Sequence, residues 1–569
     1  MDRDKVRSYQ NFNVSLYCPV FSIKDIDDFN AFDEEFQHIE KHVKIGRVYL
    51  ENYRGEEWTP EEQLLKVKDY FEKKGIATAG GITPVAKGDP SRDGFVSLCY
   101  SKPGGEEQLV KAVEMNARIF DEFIFDDFFF LNCRCEACVK KRGNRTWKDF
   151  RLAEKKRLIT DCVMGPAKKI NPNVNVILKY PQWFEVFNEL GYDLKMEPAM
   201  FDTIYTGTET RDPQYSHQHL PKYLSYFTMR LYEAAAPGRN LGGWFDPYEC
   251  TYNLNSYLEQ GYLTLFGKAK EVMLFCMGSL LKSATPFRLF APAAGEMFAE
   301  ADEYMGELGD PVGIPAYMPH DARGEDNIHS YLGMIGFPTE PYQEYPEDAK
   351  TVFLAQGALA DPDLPEKMEK TLLAGGDVIV TSNFVRKMGF DKFRRFAYVD
   401  VTDRKALVQE YGAPSTHDIY VGRKPALITQ IDTGVNDITV LSCAFGEDNN
   451  FPIVCRTNYG DGRLTIITIP DDFGALYLYP REVLYSIRQQ GEKSVPYTLD
   501  APSRVQLFVY DNDKVIIRSD YENITTVGLT VPEGKTEAVD LVSGRSFPVK
   551  DGRVTFRAMQ GINYVLDVR

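Results

Sequence analysis

Short apolar runs alternate with amphipathic stretches over the first 300 residues of the chain. Most of the runs are apolar on both faces and are followed by Gly, Pro, Asp or Asn, a pattern typical of buried parallel strands. Helical patterns lie between them, as in Pro60–Lys74 and Glu106–Arg118. Eight such alternations predict a (β/α)8 TIM barrel over residues 1–305. The predicted strands are Val14–Cys18, Gly46–Leu50, Ile76–Gly80, Glu122–Asp126, Val174–Lys179, Thr203–Thr206, Leu241–Phe245 and Val272–Cys276.

The pattern changes after the barrel. A stretch rich in Gly, Pro and Asp, 301–346, is interpreted as a connector. It is followed by Thr351–Gln356, a helical pattern at Leu364–Ala374 and an apolar run at Gly375–Ser382, which together predict a strand–helix–strand unit. Residues 306–492 are therefore predicted to form an α/β Rossmann-like domain. Its loops lack a G-x-G-x-x-G motif, so a dinucleotide site is not supported.

The last part of the chain, 493–569, alternates apolar and polar positions in short segments. Examples are Val505–Tyr510 and Val515–Ser519, and turn signals such as Asp511-Asn512-Asp513 separate them. This alternation predicts a small C-terminal antiparallel β-sandwich.

The amino-acid composition limits the kinds of binding partner that we expect for this protein. The net charge of −17 disfavours binding to a phosphate backbone, so nucleic acid is not expected. No apolar run approaches the roughly 20 residues of a membrane helix, so we expect no membrane contact. The start of the chain has no apolar signal-peptide core, which predicts a cytoplasmic location, or a periplasmic one if a signal peptide was removed. Aromatic residues make up 13% of the chain, and flat aromatic faces suit sugar rings as well as a large core.

Cysteines cluster in one segment after the fourth predicted strand. Cys133, Cys135 and Cys138 form C-x-C-x-x-C, and thiolates so close together can bind one tetrahedral zinc ion. Cys99 follows the third predicted strand, and loops after neighbouring barrel strands emerge side by side. We therefore predict a closed, structural site with four thiolates. The alternative is a loop of free thiols.

Two adjacent aspartates, Asp126 and Asp127, end the fourth predicted strand. Functional groups of barrel enzymes lie at the carboxyl ends of strands. Mutual repulsion and apolar neighbours should raise one of the two pKa values, which suits a general acid. The alternative is that one aspartate caps a helix or forms an ion pair.

Other strand ends carry acids, arginines and aromatics. A glycosidase needs one carboxyl group to protonate the leaving oxygen and a second to attack or to activate water, so acids at the same rim indicate carbohydrate chemistry. Taken singly, each residue also fits an ordinary ion pair or barrel packing. The candidate second carboxylates are Glu249, Asp246 and Glu209, and the candidate substrate-binding residues are Trp244, Trp183, Tyr180, Arg211, Glu51 and Arg54.

These features together resemble the family 42 β-galactosidases of glycoside hydrolase clan A. In that family an Asn-Glu acid/base pair after the fourth strand is followed by C-x-C-x-x-C, and a further Cys after the third strand completes a zinc site. An α/β trimerisation domain and a small β-sandwich follow the barrel. This chain has Asp126-Asp127 in place of Asn-Glu, which indicates a divergent or sister family.

The resemblance implies a retaining, exo-acting enzyme of carbohydrate metabolism. Asp127 occupies the acid/base position, and Glu249 lies near the position of the nucleophile, although Asp246 is closer to the strand end. The implied cofactor is a structural zinc ion, with none in catalysis. The implied assembly is a homotrimer, with a dimer as the alternative.

Two other functions remain open. The Asp126-Asp127 pair also resembles that of barrel hexosaminidases, in which one aspartate orients the substrate's acetamido group and the other is the acid. The third possibility is a carbohydrate-binding barrel protein without catalysis.

Overall fold

The structure is a computed structural model that describes residues 8–87, 96–214, 216, 218–434, 437–446 and 449–569. The chain divides into two compact units, one up to Gly306 and one from Glu307. Within the described residues, no helix combines the length and the apolar character needed to span a bilayer.

The first unit is a closed barrel of eight parallel strands, which confirms the predicted (β/α)8 fold. Each strand pairs with the next, and the first pairs with both the second and the eighth, so the sheet has no free edge. Glu57–Trp58 adds a short antiparallel extension to the second strand. The strands are β1 (Asn13–Cys18), β2 (Arg47–Arg54), β3 (Ala77–Thr83), β4 (Glu122–Phe125), β5 (Asn175–Tyr180), β6 (Thr203–Gly207), β7 (Asn240–Phe245) and β8 (Glu271–Phe275).

Helices surround the barrel; some bury a single apolar face, whereas Leu254–Phe266 is buried along most of its length. In Glu61–Lys73 the buried residues Leu64, Val67 and Phe71 recur every three or four positions, as the sequence pattern predicts for an amphipathic helix. The helices are Val20–Lys24, Phe29–His42, Glu61–Lys73, Gly105–Ile119, Glu136–Arg142, Trp147–Leu158, Gly165–Ile170, Phe187–Leu190, Leu224–Ala235, Leu254–Phe266, Met277–Leu280 and Phe290–Tyr304; Ile159–Met164 is a π-helical turn.

The barrel interior is a packed core. Tyr17, Tyr49, Ile177 and Trp244 are among its buried side chains. Because successive strand residues point to opposite faces, Lys179 on β5 shares the inward face of Ile177. This alternation decides which side chains reach the mouth of the barrel.

The second unit contains a mixed sheet of nine strands. The first five strands in spatial order are parallel and the other four are antiparallel. The order is Thr339–Tyr342, Ile314–Tyr317, Thr351–Leu354, Asp377–Thr381, Gly462–Ile467, Asn450–Tyr459, Thr439–Phe445, Asp400–Ala413 and Asp418–Asp432, and the helices are Ile328–Met334, Leu364–Leu373, Ser382–Met388, Phe390–Phe393 and Arg481–Arg488.

Two smaller sheets complete this unit. Buried side chains of both, such as Leu507 and Leu529, belong to the same core as Ile314 and Ile453 of the mixed sheet, so all three sheets pack as one compact body. The six-stranded sheet has the order Pro311–Val312, Val505–Tyr510, Lys514–Ser519, Asn563–Val568, Glu537–Asp540 and Ser546–Pro548, and the three-stranded sheet has the order Thr498–Asp500, Thr525–Thr530 and Arg553–Ala558.

The interpretation of 301–346 as a connector is wrong. This stretch supplies the parallel strands Ile314–Tyr317 and Thr339–Tyr342 and the helix Ile328–Met334. Both strands contain a proline, Pro315 and Pro341, which interrupts the apolar pattern although each strand pairs in the sheet.

Candidate active site

Asp126 and Asp127 lie at the carboxyl end of β4 but face different surroundings. Asp126 is buried; its Oδ1 accepts a hydrogen bond from the Asp127 backbone N–H at 2.8 Å, and its Oδ2 accepts one from Arg54 Nη2 at 2.8 Å. The Asp127 side chain is 15% exposed and lines a cavity. The Tyr192 hydroxyl donates to the Asp127 backbone oxygen at 2.6 Å, which fixes the peptide that carries this carboxyl group.

A buried lysine connects three carboxylates at the barrel mouth. Lys179 Nζ lies 2.6 Å from Glu209 Oε1, 3.1 Å from Asp127 Oδ2 and 3.5 Å from Asp126 Oδ1. It also lies 4.1 Å from the centre of the Trp244 ring. Lys179 was not predicted as a site residue, although a lysine at an inward position of an otherwise apolar strand is unusual enough to indicate one.

The neighbouring charges and burial shift the pKa values of Asp126 and Asp127 in opposite directions. Burial raises the pKa of Asp127 to about 8; the Lys179 ammonium opposes the rise, and the Asp126 and Glu209 carboxylates add to it. Burial would also raise the pKa of Asp126, but the positive charges of Lys179 and Arg54 outweigh it and hold that pKa below its ordinary value. At neutral pH the pair therefore holds one proton donor beside one ionised carboxylate.

Glu51 and Arg54 form a chain of hydrogen bonds that ends at Asp126. Glu51 is buried and accepts hydrogen bonds from the Tyr17 hydroxyl at 2.7 Å, the Val20 backbone N–H at 2.9 Å and Arg54 Nε at 2.9 Å. Arg54 then reaches Asp126. Neither side chain belongs to the cavity lining beside Asp127.

Glu209 follows β6 and reaches the same cavity as Asp127. Its Oε1 contacts Lys179, and its Oε2 is buried with no hydrogen-bond partner among the described residues. Burial raises the pKa of Glu209, and the Lys179 ammonium opposes that rise. A Cβ atom at Gly207 would lie 2.7 Å from Glu209 Oε2, so a side chain there would displace the carboxylate.

The other two acids contact Arg211. Asp246, directly after β7, accepts from Arg211 Nε at 3.1 Å and from Nη2 at 2.8 Å. Glu249 Oε2 lies 3.9 Å from Arg211 Nη1, and its side chain is 28% exposed. Glu249 Oε2 also has no hydrogen-bond partner among the described residues. Arg211 lines the cavity beside Asp127, whereas Asp246 and Glu249 are not among the lining residues.

The cavity beside Asp127 has a volume of about 360 Å³. One wall is aromatic, and the rings of Phe130 and Trp183 meet edge to face at 5.8 Å. The lining residues are Asp127, Phe128, Phe130, Asn132, Gln182, Trp183, Val186, Leu190, Glu209, Arg211 and Gln218.

Two of the predicted aromatic contacts lie elsewhere. Trp244 is buried in the barrel beneath Lys179, with its ring 5.2 Å from that of Phe275. Tyr180 points outward and packs between the barrel and its helices, with its ring 5.6 Å from Phe187 and 5.2 Å from Tyr232. Only Trp183 of the three lines the cavity. Tyr180 points outward because it neighbours the inward-facing Lys179 on the strand, whereas Trp244 points inward but packs in the barrel core.

The four cysteines of the predicted metal site come together. The sulfur atoms of Cys99, Cys133, Cys135 and Cys138 lie within 4.8 Å of one another. The pairs 99–135, 99–138 and 135–138 are each 3.7 Å apart. A tetrahedron with Zn–S bonds of about 2.3 Å has sulfur–sulfur edges of about 3.8 Å. The geometry therefore fits a tetrahedral metal ion.

Comparison with known proteins supports the sequence interpretation. The model of a family described as "Probable glycosyl hydrolase, catalytic domain" matches residues 3–299, and a second, described as the second domain of the uncharacterized protein SSO3021, matches residues 309–472. The uncharacterized protein SSO3021 from Saccharolobus solfataricus is 26% identical over 368 residues, which are 58% of this chain. The match spans 60% of the length of that relative.

Solved structures with the same fold extend over almost the whole chain. The β-galactosidase from Bacillus circulans sp. alkalophilus has a TM-score of 0.65 at 12% identity, and covers 99% of this chain and 100% of its own. The α-L-fucosidase isoenzyme 2 from Paenibacillus thiaminolyticus has a TM-score of 0.68 at 13% identity, and covers 98% of this chain and 99% of its own. These matches confirm the resemblance to the family 42 β-galactosidases at the level of the fold. Because the catalytic-domain match covers more than half of the residues, the chain belongs to the family of probable glycosyl hydrolases.

Proposed function

We propose that this protein is a retaining, exo-acting, β-galactosidase-like glycoside hydrolase whose proton donor is Asp127. The observation that carries the proposal is that two carboxyl groups, Asp127 and Glu209, line one cavity and contact the same lysine. The cavity volume of about 360 Å³ is near the lower end of the roughly 300–1,000 Å³ of ligand pockets, which suits the removal of one terminal sugar.

The spacing of the two carboxylates supports retention of configuration. Asp127 Oδ2 and Glu209 Oε1 lie 3.1 Å and 2.6 Å from Lys179 Nζ. They are therefore less than about 6 Å apart, nearer to the roughly 5–5.5 Å of retaining enzymes than to the roughly 6.5–9.5 Å of inverting ones.

In the proposed mechanism, protonated Asp127 donates its proton to the glycosidic oxygen as that bond breaks. Glu209 Oε2 attacks the anomeric carbon and forms a covalent glycosyl-enzyme. Asp127, now ionised, removes a proton from a water molecule, which displaces Glu209 and releases the sugar. The Lys179 ammonium favours the ionised form of Glu209 against the effect of burial.

Glu209 is preferred to Glu249 as nucleophile because of its position. Glu209 lines the cavity with Asp127, whereas the Glu249 carboxylate faces Arg211. Asp246 is held by two hydrogen bonds from the same arginine, which suits a role in orienting Arg211. Arg211, Trp183 and Gln182 are the proposed substrate contacts in the lining.

A screen of aryl glycosides tests the function. Both anomers of common hexosides, 6-deoxyhexosides and N-acetylhexosaminides should be offered, and product stereochemistry read by NMR during the first turnovers. We expect hydrolysis of at least one glycoside with retention. Inversion would contradict the assignment of Glu209 as nucleophile.

The same screen, together with a measurement of saccharide binding, decides between the other two functions. Cleavage of N-acetylhexosaminides with inhibition by a thiazoline mimic would indicate substrate assistance by the Asp126-Asp127 pair. The bonds that Asp126 makes to Arg54 and to the Asp127 N–H leave it outside the cavity lining, which argues against that role. Saccharide binding without any hydrolysis would indicate a non-catalytic barrel.

We further propose that Cys99, Cys133, Cys135 and Cys138 bind a structural zinc ion. The purified protein should contain one zinc ion per chain by elemental analysis. Cys135→Ser should lose the metal, and its unfolding midpoint should fall by about 10 °C. This follows from roughly 4 kcal/mol of binding free energy at a metal concentration of 1,000 Kd and about 2–4 °C per kcal/mol.

Cys162→Ser is the matched control, because Cys162 is a buried cysteine of the same unit outside the cluster. It should keep one zinc ion and a nearly unchanged midpoint. Native protein that contains no metal and whose four thiols react freely with a disulfide reagent would contradict the zinc proposal.

We also propose that the protein is a homo-oligomer, a trimer by resemblance. The antiparallel ribbon of Asp400–Ala413 and Asp418–Asp432 lies at the edge of the mixed sheet. It exposes Leu407 (68%), Ile419 (63%) and Val421 (66%). Large exposed apolar side chains on an edge ribbon are typical of an association surface.

The double variant Leu407→Lys, Val421→Lys should be monomeric by light scattering, because two charges would be desolvated in the interface. Leu373→Lys is the control, since Leu373 is also exposed (58%) but lies on a helix outside the ribbon. A parent protein that is monomeric at all concentrations would remove this proposal.

A further inference from the structure

The second unit contains a cavity that no part of the proposed mechanism uses. It has a volume of about 530 Å³ and lies between the mixed sheet and the segment that begins with helix Arg481–Arg488. Strands Thr439–Phe445 and Asn450–Tyr459 supply Ser442 and Arg456 to its lining. The ribbon supplies Tyr420, and the helix and its extension supply Tyr485, Ser486 and Gln489.

Arg456 is the notable side chain of this cavity. It is partly buried, and its guanidinium has no ion pair and no side-chain hydrogen bond with the residues that the structure describes. A partly desolvated guanidinium carries five N–H donors that favour oxygen partners. A ligand with several oxygen atoms would satisfy them.

The other charges of the lining are paired or lie at the rim. Arg481 donates through Nη2 to the Asp500 backbone oxygen at 2.7 Å and forms an ion pair with the Asp500 carboxylate, which Arg553 also contacts. Glu482 and Glu492 are exposed. The lining therefore holds two arginines against three acids, which disfavours a strongly anionic ligand.

We propose that this cavity is an accessory binding site for a neutral saccharide. Tyrosine rings supply flat apolar faces for a sugar ring. Arg456, Ser442 and Gln489 supply donors and acceptors for hydroxyl groups. The volume lies within the range of about 300–1,000 Å³ seen for ligand sites. The choice of a saccharide rests on the proposed function; the existence of the site rests on the cavity and on Arg456.

Binding can be measured without hydrolysis in the Asp127→Asn protein. Lactose and cellobiose are the neutral probes, and glucuronate and inorganic phosphate are the anionic ones. We expect at least one neutral probe to bind with a Kd on the order of 1 mM by calorimetry or saturation-transfer NMR. Adding Arg456→Gln or Tyr420→Ala to this protein should lower the affinity of the accessory site for that probe at least tenfold. Adding Arg394→Gln, an exposed arginine outside the cavity, should not.

Three results would overturn the proposal. The first is that no neutral sugar binds at up to about 20 mM, twenty times the expected Kd. The second is that neither cavity variant changes the binding, although both variants keep the unfolding midpoint of the parent. The third is that phosphate or glucuronate binds more tightly than the neutral sugars. In an Asp127-containing background, Arg456→Gln should leave hydrolysis of a small aryl glycoside unchanged. Failure of the aryl glycoside screen would remove the proposed function while leaving the Arg456-dependent binding in place, so the two failures are distinguishable.

Discussion

Asp127→Asn is expected to lower kcat by about 10²–10⁴-fold, the usual contribution of a positioned general acid. The amide keeps the size of the side chain but cannot supply a proton to the glycosidic oxygen. The loss should be large for a substrate with a poor leaving group and smaller for an activated aryl glycoside, because an acidic phenol departs without protonation. The measurement is kcat for a leaving-group series. Asp161→Asn, which changes an exposed aspartate, is the control.

The pH dependence follows from the same carboxyl group. Because the pKa of Asp127 is raised to about 8, kcat/KM should fall as pH rises through about 8, where the acid loses its proton. Ionisation of Glu209 should set the lower limb, at a pKa above that of an ordinary glutamate. A profile that stays flat beyond pH 9 would contradict the assignment of Asp127 as acid.

Stability gives a second readout that does not need a substrate. A carboxyl group whose pKa is higher in the folded state contributes stability that is fully present below its unfolded pKa, about 3.9 for aspartate. That contribution is lost as pH rises toward the folded pKa of about 8. The unfolding free energy of the parent should therefore fall between these values by more than that of Asp127→Asn. Equal pH dependence in the two proteins would show that Asp127 is not protonated in the neutral fold.

Glu209→Gln is expected to reduce kcat by at least about 10³-fold, because the glutamine cannot form the glycosyl-enzyme. Glu249→Gln should reduce kcat by less than about tenfold, since its carboxylate faces Arg211 instead of the cavity that Asp127 lines. Both variants should be assayed on the best aryl glycoside from the screen. An active Glu209→Gln together with an inactive Glu249→Gln would restore Glu249, the first choice of the sequence interpretation, as nucleophile.

The barrel was predictable because its sequence signals are local. Each buried parallel strand appears as an apolar run, and the structure places a strand at every predicted position. The cysteine cluster was predictable for a related reason: three of its cysteines are close in sequence, and barrel geometry indicates where the fourth should lie.

Strands and contacts that depend on residues distant in the sequence were harder to predict. The strand Asp400–Ala413 is mostly exposed or half-buried and is rich in charged residues, so the pattern of apolar residues that predicts a strand is weak there. Lys179 was not predicted because its role depends on its contacts with carboxylates at two other strand ends, Asp127 and Glu209. The sequence indicated which acids lie at the rim, but it could not say which of them share a cavity and which pair with Arg211.

Only five residues separate Asp127 from Cys133 along the chain. Two hydrogen bonds also hold the backbone of this segment in place. The Tyr192 hydroxyl donates to the Asp127 backbone oxygen, and the Leu131 N–H donates to the Leu190 carbonyl. Loop grafting or recombination in this protein should therefore exchange 126–138 as one block. A crossover inside this block would combine the proposed proton donor of one parent with the proposed sulfur ligands of another, and the spacing between them would then differ from that in either parent.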